Sequence, residues 1–292
     1  MRGNAAMHDL VAPGSVTAVL NLLAQEPGIW TPIAGGTELM VAFSAGRLKA
    51  AKLVSLWGIA ELRSIAATEE WISIGAAATF LDLRRHDLIA SEFPLLARAA
   101  SWIGSIANQG RATLGGNLVN GSPAADSSPA LLAYDAEIEM ISVRGTRRVS
   151  YWEFHTGYKR NVLAQDELLY AIRLPRRFGR HRHYLRKVGT RRAMAIAKVA
   201  LGATTLMEES AVKEVRLGAA SLAPYPVRLF AVERALLGKT VTREVLREAQ
   251  SALLAEIKPI DDIRSTEEYR RRVAVNLLGE FLYELLHGGS SA

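Results

Sequence analysis

Fourteen residues, Thr113-Leu-Gly-Gly-Asn-Leu-Val-Asn-Gly-Ser-Pro-Ala-Ala-Asp126, constrain this chain more than any other stretch. They gather adjacent glycines, amides, hydroxyls and one carboxylate without a single basic side chain. A glycine pair such as Gly115-Gly116 lets the backbone take positive φ and approach a ligand closely, and successive N–H groups in such a turn form a concave anion site. The stretch therefore predicts a phosphate held by backbone rather than by lysine. Asn117, Asn120 and Asp126 add groups suited to ribose or ribityl hydroxyls. On its own the segment also reads as a plain loop, with Asn120-Gly121 and Ser122-Pro123 as turn formers.

A second glycine pair lies upstream in Ile33-Ala-Gly-Gly-Thr-Glu-Leu39, where a strand pattern runs into two glycines and a hydroxyl. Donors presented there can cradle a pyrophosphate. The segment lacks the G-x-G-x-x-G spacing of a nucleotide-binding turn and the lysine of a P-loop, so alone it also reads as an ordinary strand-to-helix turn. A third segment, Lys187 to Lys198, closes a basic stretch. Lys187 is suited to stabilise negative charge developing on a bound cofactor, and equally suited to be a solvated surface lysine.

The chain has 292 residues and 49% apolar content, enough for two domains with a real core. It contains no cysteine, which excludes disulfides, a thiolate nucleophile, and thiolate ligands for zinc or an iron–sulfur cluster. Any such centre belongs to another chain. No apolar run approaches the ~18–20 residues that span a bilayer, and Met1 to Leu10 lacks the apolar core of a secretory signal, which predicts a cytoplasmic protein. The net charge is +7, and Leu168 to Met207 holds ten Lys/Arg with no Asp or Glu. That local excess reads as a face for an acidic partner or an anionic acceptor, or as a solvated basic surface.

Ser15 predicts a helix cap ahead of Val16, Val19, Leu20 and Leu23, ending at Pro27-Gly28. Strands are expected at Trp30 onward, Lys52–Leu56, Trp71–Gly75, Ala136–Val143, Arg147–Ser150 and Glu167–Leu174, with helices at 38–45, 79–86, 94–102 and 128–134. Residues 176–186 read as an exposed connector. Beyond it, Tyr184–Val188, Ala195–Met207 and Val212–Ala220 predict a three-stranded antiparallel meander, followed by two helices. The last carries a capping box of Ser265 with Glu268 and a stripe of Tyr269, Val273, Leu277, Phe281 and Leu285.

In order along the chain, Ala34-Gly-Gly-Thr-Glu38, Thr113-Leu-Gly-Gly-Asn117 with Ser122-Pro-Ala-Ala-Asp126, Glu167-Leu-Leu-Tyr-Ala-Ile-Arg-Leu-Pro175, and Lys187 to Lys198 resemble the FAD-binding (medium) subunit of the molybdenum hydroxylases, the xanthine dehydrogenase and carbon monoxide dehydrogenase family. The resemblance implies an α+β fold. A two-lobed FAD-binding domain of the vanillyl-alcohol-oxidase/PCMH type would occupy 1–178, with lobes 1–57 and 58–178, followed by a C-terminal lobe of antiparallel sheet plus helices over 179–292. It further implies non-covalent FAD. Ile33, Ala34, Gly35, Gly36, Thr37, Glu38 and Leu39 would wrap the pyrophosphate. Thr113, Gly116, Asn117, Val119, Asn120 and Asp126 would follow the adenosine, ribose and ribityl portions. Leu169 would pack on the flavin side, and Lys187 would lie near the pyrimidine edge of the isoalloxazine. Some relatives carry an aromatic ring at the position of Ile103; here isoleucine stands there, with Trp102 next door. No side chain is implied as nucleophile, general base or metal ligand.

The function the resemblance implies is that of an electron-transfer subunit of an oxidoreductase. A molybdopterin-binding large subunit would hydroxylate the substrate, and a small [2Fe–2S] subunit would relay electrons to the FAD of this chain. NAD⁺ ranks first as acceptor, ahead of oxygen, a quinone or a carrier protein. Molybdopterin and [2Fe–2S] clusters are expected only on those partners, in a hetero-oligomer extending up to a dimer of heterotrimers. A self-contained FAD-dependent reductase or oxidase is the alternative. It would need a proton donor beside the flavin, and His8, His86, His155, His181, His183 and His287 are scattered along the chain. A nucleic-acid-binding protein is the remote alternative, since no recognised module is present and the aromatics are not interleaved with the basic stretch as stacking platforms would be.

Overall fold

The computed structural model describes residues 4–191 and 194–287. Three sheets organise the chain. The first holds β1 (Asp9–Val11), β2 (Trp30–Ile33) and β3 (Lys52–Ser55), all parallel, in the order β1-β3-β2. Parallel neighbours require crossovers, which the helices Val16–Gln25 and Leu39–Ser44 provide. Ser15 caps the first of these, its Oγ accepting from the Ala18 N–H at 3.2 Å. That helix buries Val16, Val19 and Leu23 against Val54 and Leu56. The sequence pattern did not reveal β1.

The second sheet takes β4 (Ile65–Ala67), β5 (Trp71–Gly75), β6 (Glu137–Ser142) and β7 (Gly145–Ser150). A small hairpin follows, β8 (His155–Gly157) with β9 (Arg160–Asn161). Then β10 (Leu168–Pro175) returns to the middle of the sheet, giving the antiparallel order β4-β5-β10-β6-β7. Along β6 the inward side chains Ile138, Met140 and Ser142 alternate with Glu137, Glu139 and Ile141, as a half-buried strand requires. The core beneath it is filled by Phe80, Leu83, Leu96, Leu114, Leu131 and Tyr134 among others, drawn from short helices packed on one face.

The third sheet is a meander of β11 (Arg182–Val188), β12 (Val199–Glu208), β13 (Ala211–Ala220) and β14 (Val227–Arg228), in sequence order. The helices Phe230–Leu236, Arg243–Glu256 and Glu267–His287 share its core. The opposite face meets the second sheet's domain through Gly202 and Gly218, which face each other in the β12–β13 ladder. A Cβ at these positions would lie 2.9 and 2.6 Å from the Pro129 carbonyl oxygen, so helix Ser128–Ala133 rests directly on bare backbone. No helix among the described residues is long and apolar enough to cross a membrane.

Three expectations are corrected. The strand expected from Ala195 begins at Val199, with residues 195–198 in a loop. The last helix is capped by Thr266 rather than Ser265: Thr266 Oγ1 accepts from the Tyr269 N–H at 3.2 Å, while Ser265 is held in a turn by Asp262. The basic stretch is not a free cationic connector. Arg173, Arg176, Arg177 and Arg186 pair with Glu137, Glu92, Asp135 and Glu280, and Arg182 donates to the Leu285 carbonyl. Its carboxylate partners are supplied from distant parts of the chain. Within the third segment, Arg192 and Ala193 lie outside the described residues, as does the Gly-Gly-Ser-Ser tail.

Candidate cofactor-binding site

Where β2 ends at Ile33, the chain leaves the sheet and turns through Gly36, whose φ of 74° favours glycine. The amides of Gly35, Gly36, Thr37 and Glu38 have no hydrogen-bond partner among the described residues. Four successive donors without partners in a turn beside a strand end are the kind of group from which an anion-binding concavity can be built. Gly35 sets the position of that turn: a Cβ there would fall 1.6 Å from the Arg111 carbonyl oxygen. The first glycine motif is thereby pressed against the residues that lead into the second.

The second motif differs from expectation. Leu114–Val119 is a short helix capped by Thr113, whose Oγ1 accepts from the Gly116 N–H at 3.1 Å. Neither Gly115 nor Gly116 takes positive φ; Gly121 does, at 61°. Gly115 serves close packing instead, since a Cβ would meet that of Ala76 at 2.6 Å. The amides of Leu114, Gly115, Gly116 and Asn117 already donate to Ala78, Ala76, Thr113 Oγ1 and the Thr113 carbonyl. Free backbone donors thus come from the first motif, while the second presents side chains: the Asn117 Oδ1 accepts from Ser127 Oγ at 2.7 Å, leaving its amide nitrogen to donate.

At the far end of the second motif stands Asp126. Its Oδ2 accepts from Lys187 Nζ at 2.6 Å, a pair whose side chains are 11% and 10% exposed. Lys187 reaches it from β11, in register with Ala200 of β12. Among the contacts that hold that sheet beside the motif are the Gly202–Gly218 seat under Pro129 and the Ser221 N–H donating to the Pro123 carbonyl at 2.7 Å. Burial pushes the Asp126 carboxyl up to about 6 against the opposing pull of Lys187. Its Oδ1 is buried without a hydrogen-bond partner, an orphan acceptor that a ligand hydroxyl would satisfy. Lys187 Nζ also lies 5.9 Å from the ring of Trp102.

Of the remaining residues singled out in the sequence, Leu169 is buried in the core that also contains Leu114 and Leu118, and Ile103 packs on its edge. Val119 and Asn120 end the short helix, Val119 exposed and Asn120 half-buried. An open cleft of about 640 Å³ lies beside Thr37, lined by Met40, Val41, Ala107, Asn108 and Arg111. The sequence did not point to Arg111, whose guanidinium sits 3.9 Å over the Trp57 ring, or to Lys159, whose Nζ lies 3.2 Å from Glu38 Oε1. Neither has a local signal, because each partner is remote in sequence. The three segments nevertheless form one continuous arrangement, running from free amides at Gly35–Glu38 through the Thr113 helix to the Asp126–Lys187 pair.

Residues 5–177 match the family described as FAD binding domain in molybdopterin dehydrogenase, and residues 184–285 match the CO dehydrogenase flavoprotein C-terminal domain. The chain belongs to this family. It is 31% identical over 255 residues to the xanthine dehydrogenase FAD-binding subunit of Escherichia coli O157:H7, covering 86% of each chain. It is 27% identical to the carbon monoxide dehydrogenase medium chain of Hydrogenophaga pseudoflava, covering 90% of this chain and 91% of that one. The solved structure of carbon monoxide dehydrogenase from the same organism superposes with a TM-score of 0.91, at 26% identity and 96% coverage of both chains. As a member of the family, the chain is an FAD-binding component of an oxidoreductase. The free amides of the first motif and the orphan Asp126 acceptor fit such a cofactor in chemistry: unpaired N–H donors suit a diphosphate, and an unpaired carboxylate oxygen suits a hydroxylated chain.

Proposed function

We propose that this chain is the electron-transferring FAD subunit of a molybdopterin-dependent dehydrogenase, accepting electrons from a partner's [2Fe–2S] clusters and passing them to NAD⁺. The observation that carries this reading is the Asp126–Lys187 pair. It joins the two family domains at the end of a path that begins in unpaired backbone amides. Bound FAD supplies the capacity to accept electrons singly and release them in pairs.

The roles of the chain's own residues follow from that placement. Gly35, Gly36, Thr37 and Glu38, flanked by Ile33, Ala34 and Leu39, would present amide donors to the diphosphate. Asn117 and Asp126 would hold ribose or ribityl hydroxyls, with Thr113, Gly116, Val119 and Asn120 shaping the wall. Leu169 and Ile103 would close the apolar side, and Lys187 would supply a positive charge at the isoalloxazine. Partner subunits carrying molybdopterin and iron–sulfur clusters fit a chain without cysteine whose relatives are called medium chains and FAD-binding subunits. NAD⁺ as acceptor fits a cytoplasmic setting. Five arginines of the basic stretch, Arg173, Arg176, Arg177, Arg182 and Arg186, are held by partners within the chain, which weighs against the nucleic-acid alternative.

The first test is a spectrum. The purified chain reconstituted with FAD should show the bound-flavin absorption bands, and their absence would refute the site. A native complex containing molybdenum and iron, supplied with an oxidisable substrate for its molybdopterin subunit, should then reduce NAD⁺. Reduction of an organic substrate by the isolated chain would instead support a self-contained reductase.

A further inference from the structure

The space between the two glycine motifs is bridged by the β8–β9 hairpin. At its tip Lys159 adopts a left-handed conformation, φ 52°, rarely taken by residues other than glycine and asparagine. Gly121 lets this tip lie close against the second motif, since a Cβ on Gly121 would stand 3.0 Å from the Lys159 Cα. On the second strand, Asn161 Nδ2 donates to the Val119 carbonyl at 3.3 Å. At the root, buried Tyr151 shares hydrogen bonds with Ser128 Oγ at 2.6 Å and His155 Nε2 at 3.3 Å. The hairpin is thus fastened along its length to the second motif and to the helix that follows it. Its tip crosses to the first motif, where Lys159 Nζ meets Glu38 Oε1 at 3.2 Å, joining residues 121 positions apart.

We infer that Lys159 and Glu38 form a latch between the motifs that slows release of FAD, so that Lys159 is a cofactor-retention residue. The inference rests on the placement of the cofactor between the two motifs proposed above. The latch has one fixed side, because the hairpin is anchored at Val119, Gly121 and Ser128, and one side that can part, because the ion pair is its only bond to Glu38 among the described residues. Both side chains are solvent-exposed, 44% and 59%, so the pair contributes modestly and is sensitive to salt.

The test uses the full chain loaded with FAD and follows flavin fluorescence after dilution. Lys159→Met and Glu38→Gln should each accelerate release roughly two- to fivefold at low salt. The double variant should release no faster than either single one, and the exchanged pair, Lys159→Glu with Glu38→Lys, should regain slow release, as should Lys159→Arg. In ~1 M salt the single variants should converge on the wild type. Wild-type release from Lys159→Met, or additive effects in the double variant, would overturn the latch. Slower release from Glu38→Gln would also overturn it, by showing that Lys159 acts on the phosphates directly. Failure of the site itself is separately visible, because wild type would then hold no flavin before dilution, and the latch would fall with it.

Discussion

Replacing Gly35 by alanine tests whether the contact between the two glycine motifs builds the cofactor cradle. The new Cβ would lie 1.6 Å from the Arg111 carbonyl oxygen, 2.5 Å from its carbon and 3.2 Å from the Ala112 nitrogen. All three are backbone atoms, so no rotamer change relieves the overlap. Ordinary contact requires the turn and residues 111–112 to separate by about 2 Å. Overpacking of this kind costs about 1–3 kcal/mol, and a clash with backbone belongs at the upper end. The same displacement moves the free amides of Gly35–Glu38 away from the Thr113 helix. Losing one charge-assisted contact of ~1.5–3 kcal/mol would weaken FAD binding roughly 10- to 100-fold.

The assay is an FAD titration of the apo chain, with thermal melting alongside to separate binding from folding. Gly14→Ala serves as control, since nothing lies within 4 Å of its would-be Cβ. FAD affinity of Gly35→Ala within twofold of wild type, with an unchanged melt, would refute the argument that this close approach shapes the site.

Further outcomes follow from the charges and from the domain seat. Because burial raises the folded Asp126 carboxyl from its usual 3.8 to about 6, the folded chain binds more protons than the unfolded chain in that window. The Asp126 contribution to apo-chain stability should therefore fall by ~2 kcal/mol as pH rises from about 4 to about 6, read in denaturant titrations as a pH-dependent difference between wild type and Asp126→Asn; a difference that does not change with pH would count against it. Asp135 is the opposite case: burial works against its ionisation, yet Arg228 and Arg216 hold its carboxyl below the ordinary value. Asp135→Ala leaves Arg228, whose side chain is nearly buried, with Glu233 alone, and should cost ~2–4 kcal/mol at pH 7 in denaturant titrations. That deficit should narrow at pH 3, because the stability Asp135 provides is lost as pH falls through its lowered folded value; an unchanged deficit would count against the pairing. Gly218→Ala places a Cβ 2.6 Å from the Pro129 carbonyl oxygen and 2.5 Å from the Leu132 Cβ, and should lift the third sheet from the helix. If FAD affinity then holds at the wild-type level, the seat does not position Lys187.

How much of this was legible in the residues depended on distance along the chain. Ser15 announced its helix because capping and amphipathic spacing act within four residues, and the alternation of β6 announced a half-buried strand for the same reason. The Thr113 helix was hidden because two glycines lower helix propensity, while the Thr113 cap and the close fit of Gly115 on Ala76 override it. The arginines of the basic stretch gave no hint of their partners, since Glu92 and Glu280 lie far off in sequence. Asp126 and Lys187 were both singled out as site residues, yet nothing in either segment said that they pair. The short strands β1 and β4 offer only three residues each, too few for periodicity to register.

The proposed site gives a reason for the two family domains to share one chain. The first domain alone builds a concavity of backbone donors and a buried carboxylate, which suits a diphosphate and a hydroxylated chain but supplies no positive charge at the Asp126 end. Leaving that carboxylate ionised and unpaired would be costly in a buried position. Lys187 removes the difficulty from the second domain, and it can do so only because β11 is held at the right height. That height is set by Gly202 and Gly218 accepting the backbone of Pro129, two residues into the helix that begins just after Asp126. The carboxylate, the helix and the glycine seat are therefore adjacent parts of one packed unit, so a change in how the domains dock is expected to alter the charge balance at the Asp126–Lys187 pair.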